Sequence, residues 1–290
     1  MTQQQAEGFR SMEARSRGWR SRAVRSALAV QLVTVFSAAP AAAEGPWYAG
    51  RLRVATGFDF RSGDFGSDAG DTHVLSVPVS VEYRFDRLRL SPGDRFRLRV
   101  TVPYLRVDGP FRGEASGTRG MGVDEGIGDV NFKASYLYFP ASRSWPFVEL
   151  SGRLKIPTAS EEKNLGSGEF DYTLETRLAK QFRLGRRRIT PFASAGYKFV
   201  GEPEDENRDN TWRAGAGVSL RWNDRFSLGA RYAWSQSSVP GRGDRHEVGP
   251  FAAIAFNDRF SVHPYALAGL SARAADYAVG LQLRVTTRIR

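Results

Sequence analysis

Apolar and polar residues alternate with a period of two along most of the chain, in runs too long for the strands of an ordinary soluble sheet. From Tyr48 onward, Leu52, Val54, Phe58 and Phe60 share one register, while Arg51, Arg53, Asp59 and Arg61 share the other. Successive side chains of a strand point to opposite faces, so each run presents one apolar and one polar face. The pattern recurs with Leu75, Val77, Val79 and Val81 against Ser76, Ser80 and Glu82, and with Phe96, Leu98 and Val100 against Arg95, Arg97 and Arg99. At the end of the chain, Val279, Leu281, Leu283 and Val285 oppose Gln282 and Arg284. Soluble strands average about five or six residues. Runs of roughly ten cross a bilayer core when tilted, with lipid on one face and water on the other. The chain is therefore predicted to be all-β, a transmembrane antiparallel β-barrel of about 12 strands around a polar lumen.

The connections agree with that reading. Short turns near 140–144, 183–188, 223–224 and 257–258 alternate with longer segments near 61–71, 105–125, 157–168, 200–210 and 236–245. Bacterial barrels join their strands by short periplasmic turns and long outer loops in this way. The glycine-rich segment 105–125 is the candidate for a loop that folds inward and constricts the lumen. Tyr104, Tyr138, Trp145, Tyr197, Trp212, Trp222 and Trp234 fall at strand ends, where an interfacial girdle would place them. Between Ile189 and Phe199 the facing stays open, because Phe192 breaks the alternation.

Ahead of the strands, six arginines between Arg10 and Arg25 precede a short apolar run, Ala27 to Ala39, and then the small residues Ala41 and Ala43. That order is a secretory signal, and the run is too short for a spanning helix of about twenty residues. Residues 1–43 are expected to be a cleaved signal peptide and 44–290 an outer-membrane barrel, reached through the periplasm. The chain has no cysteine, so no disulfide framework holds it. Removing six of 42 basic and two of 31 acidic residues with the signal leaves 36 against 29, a net charge of +7. These charges alternate with apolar residues instead of clustering, so nucleic acid is not an expected partner.

The polar faces line the lumen, and the solute-pathway candidates are Arg51, Arg53, Arg95, Arg97, Arg99, Asp129, Lys133, Glu149, Arg153, Lys155, Asp171 and Arg177. Opposite charges on neighbouring strands would pair and stiffen the wall, whereas a surplus of arginine would form a track for anions. Asp276 is read as lumen-facing too, and Glu161-Glu162 and the acidic stretch 200–210 as solvated outer loops. No catalytic set is expected: His73, His246 and His263 have no serine in a recognisable nucleophile frame, and no zinc spacing occurs. Neither cofactor nor metal is expected. The readings left open are a channel for small organic solutes, a non-conducting structural or interaction barrel and, third, an outer-membrane lipid enzyme.

Several stretches together resemble a known family: Ser62-Gly63-Asp64-Phe65-Gly66, Val102-Pro103-Tyr104-Leu105, Gly126-Ile127-Gly128-Asp129-Val130, Lys155-Ile156-Pro157-Thr158, Leu165-Gly166-Ser167-Gly168 with Asp171-Tyr172, Ala195-Gly196-Tyr197, and Gly269-Leu270-Ser271 before Asp276. The chain is similar over nearly all its mature length to the outer-membrane barrels catalogued as "MetA-pathway of phenol degradation", often labelled transporters. The resemblance implies an outer-membrane location, uptake of small organic compounds, aromatic or otherwise, and recurring positions at Asp129, Lys155, Pro157, Gly166, Gly168 and Asp171. It implies as partners outer-membrane lipid and lipopolysaccharide, the barrel-assembly machinery and a small-molecule solute. Two departures stand out: Ala272-Arg273-Ala274-Ala275 replaces a Gly-Ser-Pro-like turn, and the chain ends Ile289-Arg290 rather than on an aromatic, which bears on assembly efficiency.

Overall fold

Among the described residues fourteen β-strands make a ring of twelve places, because two of the places are each filled by an interrupted strand. The computed structural model describes residues 49–289 apart from 66–69, 87, 89–92, 113–118, 141, 143, 161–162, 164 and 203–206. The expected signal segment 1–43, the mature start at Glu44, Glu161-Glu162 and Arg290 lie outside the described residues. The strands are β1 (Gly50–Gly63), β2 (Thr72–Phe85), β3 (Arg95–Arg112), β4 (Arg119–Ile127), β5 (Val130–Tyr138), β6 (Phe147–Ile156), β7 (Asp171–Ala179), β8 (Phe182–Leu184), β9 (Arg187–Phe199), β10 (Thr211–Arg221), β11 (Phe226–Ser235), β12 (Arg245–Ala255), β13 (Phe260–Gly269) and β14 (Tyr277–Ile289). All neighbours run antiparallel, and β14 closes the ring on β1 from Gly50 opposite Ile289 to Ser62 opposite Tyr277. Closure leaves no unpaired edge, which the water-free bilayer core requires.

Proline marks both interruptions. Along β3, β5 pairs from Arg95 to Thr101 and β4 from Tyr104 to Arg112, and the register slips by one residue between them. Gly128 and Asp129 are the bulge, opposite Pro103, whose carbonyl accepts the Gly128 N–H at 2.8 Å. One extra residue reverses facing and re-aims a side chain: Val123 and Ile127 point outward in β4, and Phe132 does so in β5. β8 continues β7 along β9 in unchanged register, broken at Lys180 and Gln181 opposite Pro191, which has no N–H to donate. The expected inward loop 105–125 is thus corrected. Most of it is a β-ribbon that prolongs the wall, since Leu105 to Asp108 of β3 pair with β2 on one side and with β4 on the other. Glycine and bulge together disguise the alternation there.

Facing follows the sequence alternation elsewhere. Val79, Leu98, Leu150, Leu174, Val218 and Val285 are exposed on the outer surface, while Ser76, Ser80, Glu82, Arg97, Glu149, Gln282 and Arg284 are buried on the inner one. Tyr104, Trp212 and Trp234 mark one outer rim, and Tyr138, Trp145 and Trp222 the other. Two short turns repeat a sequence, Asn-Asp-Arg-Phe-Ser, at 223–227 and 257–261. In each, the asparagine Oδ1 accepts the N–H of the residues two and three further on, Arg225 and Phe226 or Arg259 and Phe260. This side-chain turn reverses the strand without glycine. By contrast, β8 turns into β9 through Gly185 at φ 59°, where a two-residue hairpin favours glycine.

Candidate functional site in the lumen

Half of the lumen wall, from β1 to β7, carries a charge lattice. Arg53, Glu82, Arg99, Lys133 and Arg153 stand directly opposite one another across five neighbouring strands. Glu82 bridges the first two arginines: one oxygen takes the Arg53 guanidinium at 3.0 Å, and the other takes Arg99. Glu149 takes Arg97 at 2.7 Å, with Lys133 at 3.9 Å. Arg177 leans on Glu175 at 3.4 Å. Arg95 lies apart, at the end of the barrel where β1 begins, donating to the carbonyls of Gly93 and Asp94. Arg51 faces Arg84 and Arg288 in register, and among the described residues no carboxylate lies within ion-pair distance of Arg51 or Arg153. The five-arginine group of β1 and β3 is thus partly neutralised: among the described residues its members Arg51 and Arg95 have no carboxylate within ion-pair distance, and on β6 neither has Arg153.

The positions singled out by resemblance gather at the outer end. Lys155 contacts Asp171 at 3.0 Å, Asp129 at 3.3 Å and the Ser167 hydroxyl at 2.5 Å, and Lys198 adds a second cation to Asp171 at 2.9 Å. Asp129, re-aimed by the bulge, also accepts the Ala159 N–H, and a Cβ on Gly166 would lie 2.8 Å from its Oδ1. Gly168 adopts φ 70° and lets the 157–170 loop turn back. Asp171 accepts the Gly201 N–H of the next outer loop. These charges tie loops to the wall. Asp276 lies in the loop before β14 and is exposed, not lumenal, because the strand begins only at Tyr277.

The opposite half, β9 to β14, reads differently. Phe192, Phe251 and Tyr265 turn inward, each leaning over a glycine on a neighbouring strand: Gly217, Gly229 and Gly280. The Phe192 and Phe251 rings are 6.3 Å apart, and Arg231 sits 5.2 Å over Tyr265. Tyr265 donates to Asp59, and Arg61 joins Asp59 at 2.8 Å to Glu247 at 2.9 Å, so one buried network spans β13, β1 and β12. Of these residues, Phe192 had a sequence signal in its broken alternation; the aromatic-over-glycine pairing depends on register. Replacing Gly280 by Ala would push a Cβ to 2.4 Å from the Tyr265 ring. The ring must swing away from Asp59, and a loss of about 1–3 kcal/mol in urea unfolding of the barrel is expected.

One contact escaped the sequence reading. The Ser261 hydroxyl lies 3.0 Å from His263 Nε2, two residues along the same strand, so a serine does stand beside a histidine. Among the described residues His263 Nδ1 has no partner, and no carboxylate orients it as a nucleophilic triad needs. Among the described residues no three His, Cys, Asp or Glu side chains gather to hold a metal.

No curated protein matches the chain. Among solved structures, it is similar to an outer membrane channel from Pseudomonas putida F1, with TM-score 0.64 and 13% identity over 84% of this chain and 97% of that one. It is also similar to the β domain of the Bordetella autotransporter BrkA, with TM-score 0.53 and 15% identity over 83% of this chain and 100% of that one. At such identities the likeness concerns the fold, that of the outer-membrane barrels. The family described as "Putative MetA-pathway of phenol degradation" matches residues 57–287, nearly the whole barrel, and the chain belongs to it.

Proposed function

We propose that the protein is an outer-membrane channel for small organic solutes, with a preference for anions. The observation that carries this reading is the row Arg53, Glu82, Arg99, Lys133, Arg153, four cations to one carboxylate across five adjacent strands. Rings of Arg and Lys favour anions in pores. Opposite that row, Phe192, Phe251 and Tyr265 offer apolar surface against which an aromatic part of a solute would rest. Such a protein would reach the membrane after signal cleavage and meet the assembly machinery, outer-membrane lipid and lipopolysaccharide. We assign it transport and no catalysis.

A second reading has its own support. Twelve strands enclose little space once side chains fill them, and the inward Phe251 and Leu137 are buried, as they would be in a closed structural barrel. Planar-bilayer recording of the refolded mature protein separates the two: steady conductance is expected, and complete silence would favour the closed barrel. In a salt gradient the reversal potential should show anion preference, weakening at high salt as the field is screened. Lys133→Gln with Arg153→Gln should move it toward cations, because these two leave the least-neutralised part of the row. Wild-type cation preference would show that the paired charges, not the surplus, set the field.

A further inference from the structure

We propose that Arg183, Arg188 and Arg221 form an oxyanion site at the periplasmic mouth, where a phosphate or carboxylate group is held. Arg183 of β8 stands directly opposite Arg188 of β9, and Arg188 directly opposite Arg221 of β10. Like charges directly opposite on neighbouring strands repel and destabilise a sheet, yet here three are stacked in one row. No carboxylate among the described residues lies within ion-pair distance of any of them. Arg99, which faces Lys133 across a strand, has Glu82, and Arg97, which faces Arg84, has Glu149; among the described residues this row has no such acid. Its register neighbours are hydroxyls instead: Ser227 faces Arg221, and Thr190 faces Ser219 one step further into the lumen.

The row is on the inner face. Arg188 and Thr190 share the register of Phe192 and Ser194, and Arg221 shares that of Arg213 and Ser219. Its end of the barrel is the one that holds the start of β1, the end of β14 and the short turns, the periplasmic end in bacterial barrels. Guanidinium groups present forked donors that match the oxygens of phosphate or carboxylate, two at a time. Hydroxyls supply further neutral donors, so an anion with several oxygens satisfies the row and removes its self-repulsion.

This site would be where an anionic solute leaves the lumen, and in that respect it rests on the channel reading, although binding itself does not require conduction. The test is titration of inorganic phosphate onto the refolded full barrel in a phosphorus-free, uncharged detergent. Saturable binding is expected, and Arg188→Gln with Arg221→Gln should weaken it at least about tenfold, the scale of one lost charge-assisted hydrogen bond. Arg225→Gln, in the neighbouring turn, should leave it unchanged. Arg183→Gln alone, at an exposed position on the short strand, is the second variant should the double replacement fail to fold, and retained heat-modifiable gel mobility certifies both. The anion could also come from a lipid headgroup. Bilayers with and without phosphatidylglycerol distinguish the sources: arginine-dependent binding of that lipid with none of free phosphate would keep the oxyanion site and assign it to lipid. Equal phosphate and lipid binding by wild type and both variants overturns the proposal. Silence in bilayer recording with arginine-dependent phosphate binding intact would sink the channel and spare the site.

Discussion

Arginine introduced at Leu98, Val218 or Leu283 is expected to cost about 2–4 kcal/mol of barrel stability near the bilayer centre, whereas arginine at Ser151 costs much less. Leu98 and Val218 are exposed on the outer surface, which in the membrane means exposed to hydrocarbon, and Leu283 shares that face of β14. A guanidinium there has no water and no partner. Ser151 lies on the inner face, opposite Ser135 and Glu175, where a cation finds a carboxylate. Gln282, also inward, is a poorer control because it is buried and already accepts the Arg284 Nε–H at 2.6 Å. Urea unfolding from lipid vesicles reads the difference. Equal tolerance of arginine at both sets of positions would mean that the barrel faces are assigned the wrong way round.

Glu82→Gln should be at least as costly, about 3–5 kcal/mol, the range for removing one partner of a buried ion pair. The Glu82 side chain is only 6% exposed and holds Arg53 and Arg99 apart from one another. Its neutralisation leaves two guanidinium groups facing across a single strand. Adding Arg99→Gln should restore part of the loss, because the repulsion then disappears. Glu125→Gln supplies the contrast: its pair with Arg106 spans 3.7 Å, with both side chains about half exposed, and such pairs contribute little. A Glu82 variant as stable as the Glu125 variant would show that water reaches the Glu82 cluster freely.

Much of this was legible before any coordinates. The alternation identifies twelve places in the ring and the outward face of most of them, and it sets Glu82 on the same inward face as Arg53 and Arg99 once β2 lies between β1 and β3. Where the reading failed, a local irregularity had erased the period. In β3 and β4, glycines and a one-residue bulge hid a ribbon inside an apparent loop. At Phe192 an aromatic residue on the lumenal register looked like an error of alternation, whereas its ring is housed over Gly217. The Arg97–Glu149 contact skips the intervening strand, so direct opposition in sequence patterns would not find it.

The sequence by itself determined that this chain presents two solvents to two faces of each strand, and therefore that it must close into a barrel. Period two is a property of the local backbone, and the need to pair every edge in lipid does the rest. Tertiary structure alone decided which charges neutralise which. Register sets Glu247 beside Arg61 from 186 positions away, gathers Asp129, Lys155, Asp171 and Lys198 at the outer end, and leaves Arg183, Arg188 and Arg221 with no acid within ion-pair distance among the described residues. A side chain's facing follows from its own position in the strand, but its neighbour depends on how far each strand slides against the next, and that stagger is fixed only when the ring closes.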